Sequence, residues 1–188
     1  MIRATWSNWQ WQQQRHALAD IELLVFDVDG VLTDGTILLD SAGNHYKRFD
    51  VRDGLGLRLL QHVGLHLAFL SGGSGGATEF RAKQLGVKHC QVDIKDKPVA
   101  LEALQLELLV SPACTAFVGD DLNDLAVRNQ VRLLLAPADA CGPLLSQADA
   151  ILRANGGFGA VRELAERILR ARGDLKAISR LGWRGHNN

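Results

Sequence analysis

The sequence predicts an α/β fold: a doubly wound, mostly parallel sheet of the Rossmann-like kind, with a small β-hairpin beside it. Three observations carry this prediction. Short apolar runs alternate with longer amphipathic stretches from about residue 20 to residue 172, the βαβα pattern of a sheet covered by helices. The runs Leu23–Phe26, Ala68–Leu70 and Ala116–Val118 are apolar throughout, as strands buried on both faces require. Each of these runs ends in aspartate, serine or glycine, and open sheets of this type bind ligands beyond the carboxyl ends of their strands.

The elements follow in order. Residues 1–20 hold Trp6, Trp9, Trp11 and a glutamine cluster; they read either as a short helix packed on the body or a neighbouring subunit, or as a partly disordered extension. After the first strand, Thr36–Leu39 and His45–Phe49 flank Asp40-Ser41-Ala42-Gly43-Asn44, two strand-like arms around a turn cluster. Such a hairpin would hang over the end of the first strand as a flap. Val51-Arg52-Asp53-Gly54 leads into Leu55, Leu57, Leu59, Leu60 and Val63, a helix for which Asp53 is the expected N-cap. Strands are then expected at 65–70, 87–92, 115–118, 131–135 and 150–152. Helices are expected at 75–85, 97–108, 122–129, 141–147 and 159–172. Pro98 lies in the first turn of its helix, where proline is tolerated. The basic segment 173–188 reads as a mobile tail.

Size and charge narrow the function classes. The 188 residues, 47% hydrophobic and 22% charged, suit one globular domain. With 21 basic and 21 acidic residues, a broad nucleic-acid footprint is not expected. No apolar run approaches the roughly 20 residues of a membrane span, and the N-terminus lacks the layout of a secretory signal. A cytoplasmic location is therefore expected. Cys90, Cys114 and Cys141 form no CxxC pair and read as reduced, buried thiols. The histidines show no metal-ligand spacing.

Chemistry concentrates at the strand ends. Asp27 and Asp29 stand at i and i+2 directly after the first strand, with Gly30 turning the chain. Two acids held together repel each other, so the arrangement suits a cation. After Leu70 comes Ser71-Gly72-Gly73-Ser74-Gly75-Gly76, a hydroxyl and free N–H groups suited to phosphate. After Val118 comes Gly119-Asp120-Asp121-Leu122-Asn123-Asp124, oxygen ligands of the kind magnesium prefers. Asp121 and Asp124 also read as helix caps. Lys97 opens a helix whose dipole it opposes, so it needs an anionic partner; phosphate and Asp27 both qualify, and Lys95 competes for the role.

These four pieces, in this order, resemble the haloacid dehalogenase-like hydrolase superfamily. The runs 27–35, 51–54, 118–124 and 156–163 are similar to its 3-deoxy-D-manno-octulosonate 8-phosphate phosphatase group, over about residues 20–173. The resemblance implies a haloacid dehalogenase-like fold with no large cap domain, and the short gap between the first two motifs agrees with that. It divides the chain into an extension (1–20), a phosphatase domain (21–172) and a basic tail (173–188).

The resemblance also implies a reaction. Asp27 attacks phosphorus and Asp29 is the general acid and base. Ser71, Gly72 and Lys97 hold the phosphoryl group, with Arg52 and Arg81 as further substrate-binding residues. Mg2+ is held by Asp27, Asp29 (through its carbonyl) and Asp120, supported by either Asp121 or Asp124. The implied substrate is a small phosphorylated sugar acid, and the implied assembly is a homotetramer in which a neighbouring subunit closes each site. No nucleic-acid or membrane partner is expected. One departure concerns the substrate. The group's second motif commonly continues Ser/Thr-Gly-Arg, and here the third residue is Gly73, which takes away a charge-assisted contact to a carboxylate. Nonulosonate 9-phosphates and other sugar phosphates thus stay open. So does a non-catalytic oligomerisation module like those appended to acidic-sugar nucleotidylyltransferases. A phosphoryl-transferring mutase fits less well, because it needs a fuller cap.

Overall fold

The computed structural model describes residues 9–182; Trp6 and residues 183–188 of the expected tail lie outside the described residues. Six parallel strands form the sheet: β1 (Leu23–Phe26), β4 (His66–Leu70), β5 (His89–Gln91), β6 (Thr115–Val118), β7 (Leu133–Ala136) and β8 (Ala150–Ile151), in the order β5-β4-β1-β6-β7-β8. The order runs outward from β1 in both directions, which makes the sheet doubly wound. The two remaining strands, β2 (Leu38–Leu39) and β3 (His45–Tyr46), form the expected antiparallel hairpin.

Strand alternation builds two cores. Leu24 and Phe26 face one side of the sheet and Leu23 and Val25 the other, as a period of two demands. On the first side lie α1 (Arg15–Asp20), α2 (Val51–His62) and α6 (Ala160–Arg172). There Phe26 meets Phe69 edge to face at 6.3 Å, a preferred aromatic geometry. On the second side lie α4 (Lys97–Leu108) and a 3₁₀ segment, Leu122–Gln130. That segment is the short helix expected at 122–129, wound as a 3₁₀ helix. α3 (Ala77–Leu85) adds Ala82 and Leu85 to the first core, and α5 (Gly142–Gln147) packs Leu144 in a small third cluster with Ala136 and Ala140.

Three expectations need correction. Asp53 does not cap its own helix; Asp50 does, accepting from the N–H of Arg52 at 2.7 Å. The buried Asp53 carboxylate instead accepts from Gly159 N at 3.2 Å and Arg162 N at 2.8 Å, closing the N-terminus of α6. The amphipathic side of α6 packs along α2, so a carboxylate one turn into α2 reaches N–H groups that the helix start leaves unpaired. The tail is partly helical, with α7 spanning Leu175–Leu181. The three cysteines are free as expected, but half-buried rather than buried. At the other end, residues 9–13 are helical, and Trp11 joins the core while its indole N–H donates to Ile151 O at 2.9 Å.

Candidate active site

The parallel register places the site. Phe26 pairs with Phe69 on one side and Val118 on the other, so β1, β4 and β6 end at one level. Asp27, Ser71 and Asp120 follow at once. The first loop turns at Gly30, with φ +90°, where a Cβ would stand 2.0 Å from Asp120 Oδ2. Gly156 backs the same loop, and a Cβ on it would stand 1.7 Å from Gly30 O. Two glycines thus let three segments meet without side chains between them.

Lys97 stands at the centre, donating to Asp27 Oδ1 at 3.1 Å and Asp124 Oδ1 at 2.5 Å. It opens α4, whose N-cap is Asp96. Burial pulls the Lys97 ammonium down, but Asp27 and Asp124 outweigh it and hold its pKa above the ordinary lysine value. Asp124 is fully buried, and its Oδ2 accepts from Asp120 N at 2.9 Å and Asp121 N at 3.3 Å. Of the two acids between which the sequence leaves the choice open, Asp124 is the one that meets Lys97 and the Asp120 backbone. Asp121 is exposed and caps the 3₁₀ segment through Leu122 N at 2.7 Å.

Carboxylates outnumber the cation. Asp27, Asp120 and Asp124 each bring one oxygen to within 4.8 Å of the others. Burial first, then Asp124, pushes Asp27 up to about 6 against the pull of Lys97. Burial, then Asp27, Asp124 and Asp121, pushes Asp120 up to about 8. Such repulsion marks a charge excess that a divalent cation relieves. The donors are all oxygen, the chemistry magnesium selects, so the residues present fit that ion.

Ser71 is fully buried at the end of β4, and its Oγ accepts from Gly73 N at 3.1 Å. Asp29 is not one of the three clustered acids, and it accepts from Lys47 Nζ at 2.8 Å. Lys47 was missed in the sequence, since nothing local marks a residue leaving an exposed hairpin as inward-facing. Arg52 and Arg81 do not join the cluster. Arg52 donates to Asp50 Oδ2 at 2.6 Å and to Phe158 O at 3.1 Å. Arg81 lies over the Phe49 ring and reaches Gln84 Oε1 at 3.2 Å and Asp50 O at 3.5 Å. Lys95 likewise makes no contact with these acids, which leaves Lys97 as their partner.

No family model matches the chain. Among known proteins, it is 42% identical to the 3-deoxy-D-manno-octulosonate 8-phosphate phosphatase of Yersinia pestis, over 78% of either chain. The chain belongs to this phosphatase family.

Its solved relatives share the fold. A phosphatase of this name from Moraxella catarrhalis, in complex with magnesium, phosphate and the sugar acid, superposes with a TM-score of 0.87. That match is 35% identical and covers 94% of this chain and 99% of the other. The cobalt-bound phosphatase from Haemophilus influenzae superposes with a TM-score of 0.83 at 35% identity, covering 86% and 94%. The fold expectation is thus met: a mostly parallel α/β sheet of the haloacid dehalogenase-like kind, with a hairpin flap in place of a cap.

Proposed function

We propose that the chain is a magnesium-dependent phosphomonoesterase that hydrolyses 3-deoxy-D-manno-octulosonate 8-phosphate through an aspartyl-phosphate. One observation carries the reading: Asp27, Lys97, Asp120 and Asp124 converge at the strand ends of a chain 42% identical to such a phosphatase. A non-catalytic module would have no need of this costly cluster of like charges.

The Asp27 carboxylate attacks phosphorus as the bond to the sugar oxygen breaks, and Asp29 gives that oxygen its proton. Asp29 then takes a proton from the water that cleaves the aspartyl-phosphate, releasing phosphate and restoring Asp27. Lys97, the Ser71 hydroxyl and the N–H groups around Gly72 hold the phosphoryl oxygens. When bound by Asp27, Asp29 and Asp120, Mg2+ supplies charge that lets two anions approach each other. Asp124 keeps Lys97 and the 120–121 backbone in place. Arg52 and Arg81, which both meet Asp50, form a basic rim suited to the sugar carboxylate.

The assembly follows from the flap. Leu38 and Leu39 are 61% and 65% exposed, with Ile37 and Tyr46 beside them. An apolar hairpin of this kind supports a homotetramer whose subunits close each other's sites, and light scattering should return four chain masses. No helix among the described residues is long and apolar enough to cross a membrane. The three free thiols support a cytoplasmic location.

The deciding experiment measures phosphate release with Mg2+ from octulosonate 8-phosphate, a nonulosonate 9-phosphate and neutral sugar phosphates. The octulosonate ester should lead by about tenfold or more in kcat/KM, as a charge-assisted contact requires. Equal rates on neutral phosphates would reject carboxylate recognition, and no turnover at all would reject the enzyme. Gly73→Arg does not simply restore a contact here. A Cβ at residue 73 would stand 2.6 Å from Asp29 Oδ2 and 3.4 Å from Lys47 Nζ and Ser71 Oγ. The arginine variant should therefore lose kcat on every substrate, measured by initial rates.

A further inference from the structure

Lys47 is unusual for its place in the chain. It immediately follows β3, in a flap whose residues 35–46 are all exposed. Yet its side chain is only 3% exposed. A lysine turned inward from an exposed hairpin gives up hydration and must find partners. It finds Asp29 Oδ2 at 2.8 Å and Thr78 Oγ1 at 3.2 Å. Thr78 is itself fully buried in the first turn of α3. One ammonium thereby joins the flap, the loop after β1 and the helix after the Ser71 turn.

Among the described residues, Lys47 is the sole donor to the Asp29 carboxylate. Gly30 follows Asp29 in the chain, and Gly73 faces it without a side chain. The bare position 73 leaves room for the Asp29 carboxylate, since a Cβ there would stand 2.6 Å from Asp29 Oδ2. The Asp29 side chain remains 28% exposed, held by one oxygen with the other available.

We propose that Lys47 is the positioning residue for Asp29, aiming its free oxygen at the leaving oxygen of the substrate. The inference rests on the reading of Asp29 as the acid and base. The Asp27–phosphorus bond forms, the phosphorus–oxygen bond to the sugar breaks, and the proton passes from Asp29 to that oxygen. Lys47 exchanges no proton.

A positioning role predicts dependence on the leaving group. An alkyl oxygen must be protonated as it departs, whereas 4-nitrophenolate leaves without help. The full-length chain with Mg2+ is compared as wild type, Lys47→Met, Lys47→Arg, Asp29→Asn and the double variant Asp29→Asn/Lys47→Met. Single-turnover release is followed from octulosonate 8-phosphate and from 4-nitrophenyl phosphate. Lys47→Met should lose about 10²-fold on the alkyl ester, at least thirtyfold more than on the aryl ester. KM should change by less than about threefold, and Lys47→Arg should recover part of the alkyl rate. The double variant should be no slower than Asp29→Asn, as expected of groups acting as a unit. Equal losses on both esters, or full activity in Lys47→Met, would overturn the proposal. So would additive losses in the double variant. If Lys47→Met does not fold, equal losses on the two esters in Lys47→Arg overturn it by the same criterion. Wild-type protein inert on both esters would instead sink the phosphatase reading itself.

Discussion

Asparagine at position 27 is expected to lower kcat by at least about 10⁴-fold while leaving the fold intact. The amide has the volume of the carboxylate and keeps an oxygen for Lys97, which stands 3.1 Å from Asp27 Oδ1. It cannot attack phosphorus. Structurally the change is favourable, because it removes one of three crowded acids and Lys97 retains Asp124. Thermal unfolding should therefore show an unchanged or higher Tm, while initial rates on any phosphomonoester collapse. Retention of more than about 1% of wild-type kcat would remove Asp27 from the nucleophile's role, since no other acid can replace a nucleophile so well.

Asparagine at position 120 should separate stability from function more sharply. Asp120 titrates near 3.8 when unperturbed, and in the folded chain it is pushed up to about 8. The folded state thus binds its proton more tightly than the unfolded state does. Stability from this group is fully present below the unfolded value and falls as pH rises through the folded one. Metal-free wild type should lose stability between about pH 4 and pH 8. The Asp120→Asn variant should be flatter in pH and more stable at pH 8, by on the order of 1 kcal/mol or about 2–4 °C in Tm. Saturating Mg2+ reverses the ranking. At a hundred times its Kd, a ligand adds about 2.7 kcal/mol to the protein that binds it, and the variant should gain far less. Calorimetry at pH 5 and pH 8, with and without Mg2+, checks both halves. A variant less stable than metal-free wild type at pH 8, or equally stabilised by Mg2+, would contradict the assignment of Asp120.

How legible each feature was depends on how local its cause is. Asp27, Ser71, Lys97 and Asp120 could be read because each stands directly beyond an apolar strand or at a helix start. A parallel sheet carries such positions to one edge. Asp121 and Asp124 could not be told apart. Both satisfy the capping rule, and only the approach of α4 decides which one meets Lys97. Asp53 was assigned to its own helix by the same local rule, whereas the structure gives it to α6, more than a hundred residues on. Lys47 had no signal at all: its neighbours alternate like any exposed hairpin, and its partners are Asp29 and Thr78.

By itself the sequence determined the sheet, its helices, the flap and the acids that gather at the strand ends. Hydrophobic periodicity and the residues at strand ends are properties of short segments, and they survive reading in one dimension. Tertiary structure alone decided which carboxylate pairs with which cation, which helix a buried aspartate caps, and that a flap lysine faces Asp29. Those outcomes depend on distances between segments far apart in the chain, where burial makes each polar group take whatever partner packing brings within reach.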